Sequence, residues 1–244
     1  MQPPYHRLEE FVSLSADEID IVKGWAANKR VVKRHRAIRR EGEPVAAVYF
    51  LMEGWVGSSL MLRDGRRQIV KVHLPGDLLG FPSLALASAG ETLEALTDAV
   101  VCPLPPGVIG KMLAENPRLA AGMFLSTQKE RVALMQQLAW VGATSALERL
   151  IAFLVDLHDR LDAAHLVKDG SFEFPLTQQH LGEMLGLTTV HVNRTLRRLD
   201  ETGLVERSRS RMRIKNVQEL RAAAATVAPQ FAGREGWSRI GSPS

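Results

Sequence analysis

Residues Leu176–Ile214 read LTQQHLGEMLGLTTVHVNRTLRRLDETGLVERSRSRMRI. Thr177 can cap a helix that carries Leu181, Met184 and Leu185, Gly186-Leu187 supplies a turn, and Thr188 can cap a second helix. On that second helix Val192, Leu196 and Leu199 fall on one inward face, which leaves Val190, Asn193, Arg194 and Arg197 on the outward stripe. The stripe has the chemistry of base reading: arginine bonds guanine twice, asparagine pairs with adenine, and valine touches a thymine methyl. Thr189, His191 and Arg198 flank it and, with Thr177 and Thr188, are expected at phosphates. After Gly203 the segment LVERSRSRMRI fits a two-stranded wing whose Arg207, Arg209, Arg211 and Arg213 would follow the DNA backbone. A merely solvated charged helix is the plainer alternative; the helix-turn-helix spacing joined to a basic wing favours DNA.

Upstream, ENPRLAAGMFLSTQKERVALMQQLAWV predicts a long helix with Asn116 as cap and Pro117 at its first position. Ala120, Phe124, Thr127, Arg131, Leu134, Leu138 and Val141 form a seam suited to the same helix of a second copy; packing on the chain's own barrel is the other reading. A further helix is expected over Ser145–Leu161. From about Val31 to Leu104, short apolar runs alternate with turn signals: Val45–Met52, Val56–Leu62, Gln68–His73 and Ala99–Leu104. That rhythm predicts a small antiparallel barrel or jelly roll of about six to eight strands. Ser15 and Glu18 make a capping box for a short helix through Ile19, Val22 and Trp25.

Composition excludes little but narrows the chemistry. The 244 residues are 45% hydrophobic, enough for a real core, and the net charge of +4 permits an anionic partner without requiring one. No apolar run is long enough for a membrane span and no export signal opens the chain, so a cytoplasmic home is expected. One cysteine excludes an internal disulfide framework. A cupin-like metal enzyme is the rival class, but His6, His35, His73, His158, His165, His180 and His191 give no pair two apart within the barrel. With no phosphate loop and no nucleophile elbow either, an enzyme is not expected.

Barrel, long helix and winged helix in that order resemble the Crp/Fnr superfamily of bacterial transcription regulators, whose types are the cyclic AMP receptor protein and the fumarate and nitrate reduction regulator. The resemblance spans about Val31 to Val217 and rests on VYFLMEGWVGSSLMLRDGRRQIVKVHLPGDLLGF and on LTQQHLGEMLGLTTVHVNRTLRRLDETGLV. It implies an α+β chain: an effector-sensing, cyclic-nucleotide-binding-like β-roll over residues 1–115, a dimerisation helix over 116–143 and a winged helix-turn-helix over 144–224; the remaining residues 225–244, with PQFAGREGWSRIGSPS, lack periodicity and are expected to be a mobile tail. It further implies a homodimer on inverted-repeat double-stranded DNA, an unknown small-molecule effector and contact with RNA polymerase.

The effector is where the chain departs from the resemblance. Nucleotide-binding members grip the ribose with a Gly-Glu pair and the cyclic phosphate with a later Arg. Here the first place holds Gly80-Phe81-Pro82, and the following loop has no cation, only Glu91 and Glu94. The helix positions expected against the base fall near Leu134 and Met135. Cyclic nucleotide is therefore not expected. An iron-sulfur cluster is not expected either, because Cys102 stands alone and is read as a buried strand cysteine. Haem, with His73, His35 or Cys102 as ligand, is the alternative, and Trp55, His73, Gly80, Phe81 and Met135 are the candidate pocket residues. In the recognition helix Arg194 stands at the base-reading arginine, Val190 where many members have Glu, and Thr189 where the cyclic AMP branch has Arg. A guanine opposite Arg194 with an altered neighbouring base pair is the expectation.

Overall fold

Ser15 caps the first helix as its sequence suggests. Its Oγ accepts from the Glu18 N–H at 3.2 Å while Glu18 Oε2 accepts from the Ser15 N–H at 2.7 Å, opening α1 (Ala16–Trp25). The computed structural model describes residues 4–224, 231 and 233, save the side chains of residues 140–143. The Val141 side chain and nearly all of the expected tail thus lie outside the described residues.

Eight strands follow α1: β1 (Arg30–Val32), β2 (Ala37–Arg39), β3 (Val48–Glu53), β4 (Val56–Met61), β5 (Arg67–His73), β6 (Leu78–Leu79), β7 (Thr92–Ala95) and β8 (Ala99–Leu104). They form two four-stranded sheets, ordered β1-β8-β3-β6 and β2-β7-β4-β5. The first sheet is covered on both faces. Val48, Phe50 and Met52 point to an outer core shared with helical residues Val22, Trp25, Leu119 and Met123, whereas Tyr49 and Leu51 point to an inner core with Val56, Leu79 and Leu93. A strand buried on both sides reads as a continuous apolar run, and VYFLM is one. Cys102 pairs opposite Phe50 and belongs to the outer core, where burial pushes its thiol above the ordinary range.

Two helices leave the roll. α2 (Pro106–Glu115), which no apolar periodicity announces, buries Ile109 and Met112. α3 (Pro117–Ala143) is the expected long helix, and it has two characters. Leu119 and Met123 are buried in the outer core, and Gly122 lets the helix approach Leu8, since a Cβ there would lie 2.9 Å from the Leu8 carbonyl oxygen. Phe124, Leu134, Met135 and Leu138 are exposed. Self-packing and an open seam therefore coexist on different faces.

The C-terminal part contains α4 (Ala146–Ala163), β9 (Ser171–Glu173), α5 (Gln178–Leu185), α6 (Thr189–Glu201), β10 (Val205–Arg207), β11 (Arg211–Ile214) and α7 (Val217–Ala222). The wing is three-stranded, in the order β10-β11-β9, where two strands are expected from sequence. β9 joins because Phe172 is an anchor at 1% exposure opposite Met212, which is fully buried. Contacts divide the described residues into two units, one of residues 4–60, 72–133, 231 and 233, the other of 61–71 and 134–224. Within the second, Arg67 Nε donates to Glu183 Oε2 at 2.8 Å.

Gly54 turns β3 into β4 at φ +83°, and a Cβ there would meet the Asp98 carbonyl oxygen at 2.3 Å and Ala99 Cα at 2.8 Å. Both obstacles are backbone. Gly54→Ala is expected to cost about 3 kcal/mol or more, strain and overlap together, lowering the urea midpoint. Gly42→Ala, at the same φ with open space around it, is the control and should cost about 1–2 kcal/mol.

Candidate nucleic-acid interface

The two helices of the opening stretch are fixed by their caps. Thr177 Oγ1 accepts from the His180 N–H at 3.1 Å, and His180 Nδ1 accepts from the Thr177 N–H at 3.3 Å, so histidine takes the reciprocal place usual for Glu. Gly186 ends α5 in the left-handed region at φ +68°. Gly182 allows the turn to close, because a Cβ there would lie 2.7 Å from the Leu187 oxygen. Thr188 Oγ1 then accepts from the His191 N–H at 3.3 Å and opens α6. Val192, Leu196 and Leu199 are buried with Leu181, Met184 and Leu185, as the periodicity requires.

The opposite stripe of α6 is presented outward. Thr189, Val190, Asn193, Arg194 and Arg197 line one open concavity together with Gln178 from the start of α5. Val190 is 79% exposed, a conspicuous place for a large apolar side chain. Gln178 was not expected. It faces Asn193, whose Nδ2 donates to Gln178 Oε1 at 3.5 Å, and only the angle between α5 and α6 brings them together. Thr188, Thr189 and Arg198 are exposed and His191 is half-buried.

Charge is unevenly committed across this face. Among the described residues Arg194, Arg197, Arg198 and Arg209 make no ion pair. Arg207, by contrast, is held by Asp200 at the end of α6: Nε donates to Oδ1 at 2.7 Å and Nη2 to Oδ2, and these bonds raise the guanidinium's already high pKa. Arg213 and Lys215 share Glu206 at 3.5 and 3.2 Å, and Lys215 foremost holds that carboxyl below the usual range. Arg211 donates to Ser171 Oγ at 3.2 Å. The wing of the sequence reading thus divides: Arg209 is uncommitted, while Arg207 ties β10 to the recognition helix.

The candidate effector residues are held separately. His73 Nε2 lies 2.7 Å from Ser58 Oγ, and its Nδ1 lies 3.8 Å from Asp77. Trp55 is buried, Phe81 packs at the edge of the outer core, and Met135 is 63% exposed on α3. Gly80 lies against a guanidinium. Arg39, from β2, is buried there, its Nη2 donating to Ser83 Oγ at 2.9 Å and facing Glu91 at 3.8 Å. The loop itself brings no cation, but β2 delivers one to it. No group of three or more His, Cys, Asp or Glu side chains among the described residues is arranged to hold a metal.

A winged helix-turn-helix with unpaired arginines on its outward helix, joined by a long helix to a β-roll, defines a DNA-binding transcription regulator. Residues 148–223 match the Crp-like helix-turn-helix domain and residues 29–116 the cyclic nucleotide-binding domain. Electron transport regulator A of Shewanella oneidensis is 26% identical over 195 residues, covering 80% of this chain and 77% of that protein. The anaerobic regulatory protein of Aggregatibacter actinomycetemcomitans is 25% identical over 208 residues, 85% of this chain and 80% of that one. The structure of FixK2 from Bradyrhizobium japonicum superposes with a TM-score of 0.72 at 29% identity, covering 82% of this chain and 98% of that one. The chain belongs to the Crp/Fnr superfamily of transcription regulators.

The recognition module is braced by α7. Arg221 Nη2 donates to both oxygens of Asp159 on α4, at 2.8 and 2.9 Å. Partial burial pushes the Asp159 carboxyl up, but attraction to His158 and Arg221 outweighs it and leaves the group below its ordinary range. A carboxyl lowered by folding stabilises the fold above its unfolded pKa of about 4 and loses that contribution as pH falls through the lower folded value. Arg221→Met should therefore lower the melting temperature at pH 6, and the gap to wild type should close as acid is added below about pH 4. A gap independent of pH would show that packing of the arginine stem, not the ion pair, holds α7.

Proposed function

We propose that the protein binds an inverted-repeat operator as a homodimer in the cytoplasm and regulates transcription by binding alone, without catalysis. The carrying observation is the coincidence of unpaired Arg194 and Arg197 with Asn193 and exposed Val190 on one concave face. In water this stripe gains nothing from its arginines; against a major groove they supply paired donors to guanine. Thr177, Thr188, Thr189, His191, Arg198, Arg209 and Arg211 are assigned to phosphates, and Arg207 to holding the wing. The dimer reading is supported by α3, where Phe124, Leu134 and Leu138 are 56%, 48% and 77% exposed. Thr127 and Arg131 lie on the same seam. Large apolar side chains along one helical face favour burial by a second copy, and a two-fold dimer places half-sites about 34 Å apart.

Neither haem nor a cyclic nucleotide finds its donors. For haem, His73 is engaged by Ser58, Cys102 is buried in the outer core, and exposed His35 faces Glu94 at 3.8 Å. These donors do not converge. For a cyclic nucleotide, Gly80 is covered by the Arg39 guanidinium, Glu91 stands beside it, and Leu79 and Leu93 fill the roll interior. The residues do not fit a nucleotide phosphate.

Operators selected from random duplexes and titrated by fluorescence anisotropy test the DNA reading. Arg194→Ala should cost about 1–3 kcal/mol on the selected site and flatten preference at one base pair, expected to be G·C. Arg209→Ala should weaken all duplexes alike and reduce the salt slope by about 1. An Arg194→Ala protein with wild-type preference would sink the stripe assignment. Leu138→Glu should convert dimer to monomer in sedimentation equilibrium and reduce recognition to single half-sites. A wild-type monomer would overturn the seam.

A further inference from the structure

We propose that Arg39 is an internal occupant of the place where nucleotide-binding members grip the cyclic phosphate, pinning the Gly80–Glu91 loop shut from within, so that the regulator holds its operator-binding form without a cyclic nucleotide. The β2–β7 pairing is irregular. In the β2–β7 pairing Ala37 stands opposite Glu94 and Arg39 opposite Leu93, so two steps on β2 answer one on β7. Such a bulge re-aims a side chain. Ile38 and Arg39 are in consequence both buried, at 9% and 3% exposure, where a regular strand would send one of them to solvent.

The buried guanidinium gathers segments distant in sequence. Nη1 donates to the Ala47 carbonyl at 3.2 Å and Nη2 to Ser83 Oγ at 2.9 Å; Ser83 Oγ also accepts from the Gly90 N–H at 3.2 Å. Glu91 Oε1 lies 3.8 Å from Nη2 and is the resident anion. Gly80 is the floor: a Cβ there would come within 2.5 Å of Nη2 and 2.9 Å of Cζ. An incoming phosphate would have to displace Glu91 and share its space. Nε is buried without a hydrogen-bond partner among the described residues, so the charge is held incompletely. Stability alone does not account for keeping it, because an apolar side chain of like volume in place of a buried ion pair is often neutral or better.

Closure reaches the long helix within the same unit. Phe81 and Leu84 sit in the pinned loop and pack against the outer core that contains Leu119 and Met123 of α3. In this arrangement the chain's own arginine sets the loop against the core that the helix shares.

Hydrogen exchange of the full-length protein, dialysed free of small molecules, tests the proposal. Wild type should protect Gly80–Glu91 without ligand, and millimolar cyclic AMP or cyclic GMP should change neither that protection, nor the melting temperature, nor operator affinity. Ser83→Ala should raise exchange across Gly80–Glu91 by about tenfold while β3 stays protected, and Arg39→Met should raise it further. Nucleotide-induced protection or tighter operator binding would overturn the proposal, as would unchanged loop exchange in the variants. If Arg39→Met fails to fold, Ser83→Ala decides. The operator clause rests on the DNA-binding reading above, whereas the loop and nucleotide readouts do not. A protein that binds no operator yet shows the expected loop behaviour would therefore refute that reading and leave the occupant standing.

Discussion

The β3–β8 pairing carries cores on both of its faces, and the rest of the N-terminal unit hangs on its register. Val48 stands opposite Leu104, Phe50 opposite Cys102 and Leu51 opposite Val101. Alternate residues serve different cores, so a slip by one residue would exchange the partners of α1 and α3 for those of the roll interior. Burying Phe50 completely is worth about 2–3 kcal/mol, and it contacts Trp25 edge-on at a centroid distance of 5.2 Å. The same register makes Cys102 a packing residue. A neutral, buried thiol is poorly suited to sensing, whatever the oxidation state outside.

How far the fold can be read in the sequence depends on how local its causes are. α5 and α6 were legible because their caps, Thr177, Gly186 and Thr188, and their apolar spacing lie within one short stretch. β3, β4, β5 and β8 were legible as apolar runs between turns. β1, β2, β6 and β7 were not, because two to four residues carry no period and exist only through their partners. α2 was hidden by Pro105-Pro106, Gly107 and Gly110, which read as breakers although Pro at the first helical position is compatible with a helix. β9 was hidden likewise, since Phe172 gains its meaning from Met212 across the sheet.

The candidate sites divide in the same way. The outward stripe of α6 follows from helical period alone, but Gln178 enters it only through the crossing of two helices. Arg207 looked like one more basic wing residue; its ion pair with Asp200 is a tertiary fact. Arg39 is the extreme case. It lies in RHRAIRREGEP, rich in charged residues, and nothing local announces a bulge or the partners Ser83 and Glu91 far along the chain.

Arginine thus serves three purposes here, distinguished by environment. Exposed and unpaired on α6, it keeps full charge and five donors for an anionic surface, at little cost in the free protein. Paired with Asp200 at the surface, it spends those donors on orienting the wing. Buried at Gly80, it carries a desolvation penalty that only specific partners offset, and that is why its position is so constrained. A guanidinium at the surface can lose its partner and return to water. One held between Ser83, Ala47 and Glu91 has no such refuge, so opening the Gly80–Glu91 loop means rehydrating a charge and separating it from its carboxylate together. That coupling makes closure of the loop cooperative, and it places the decision in β2 rather than in a ligand.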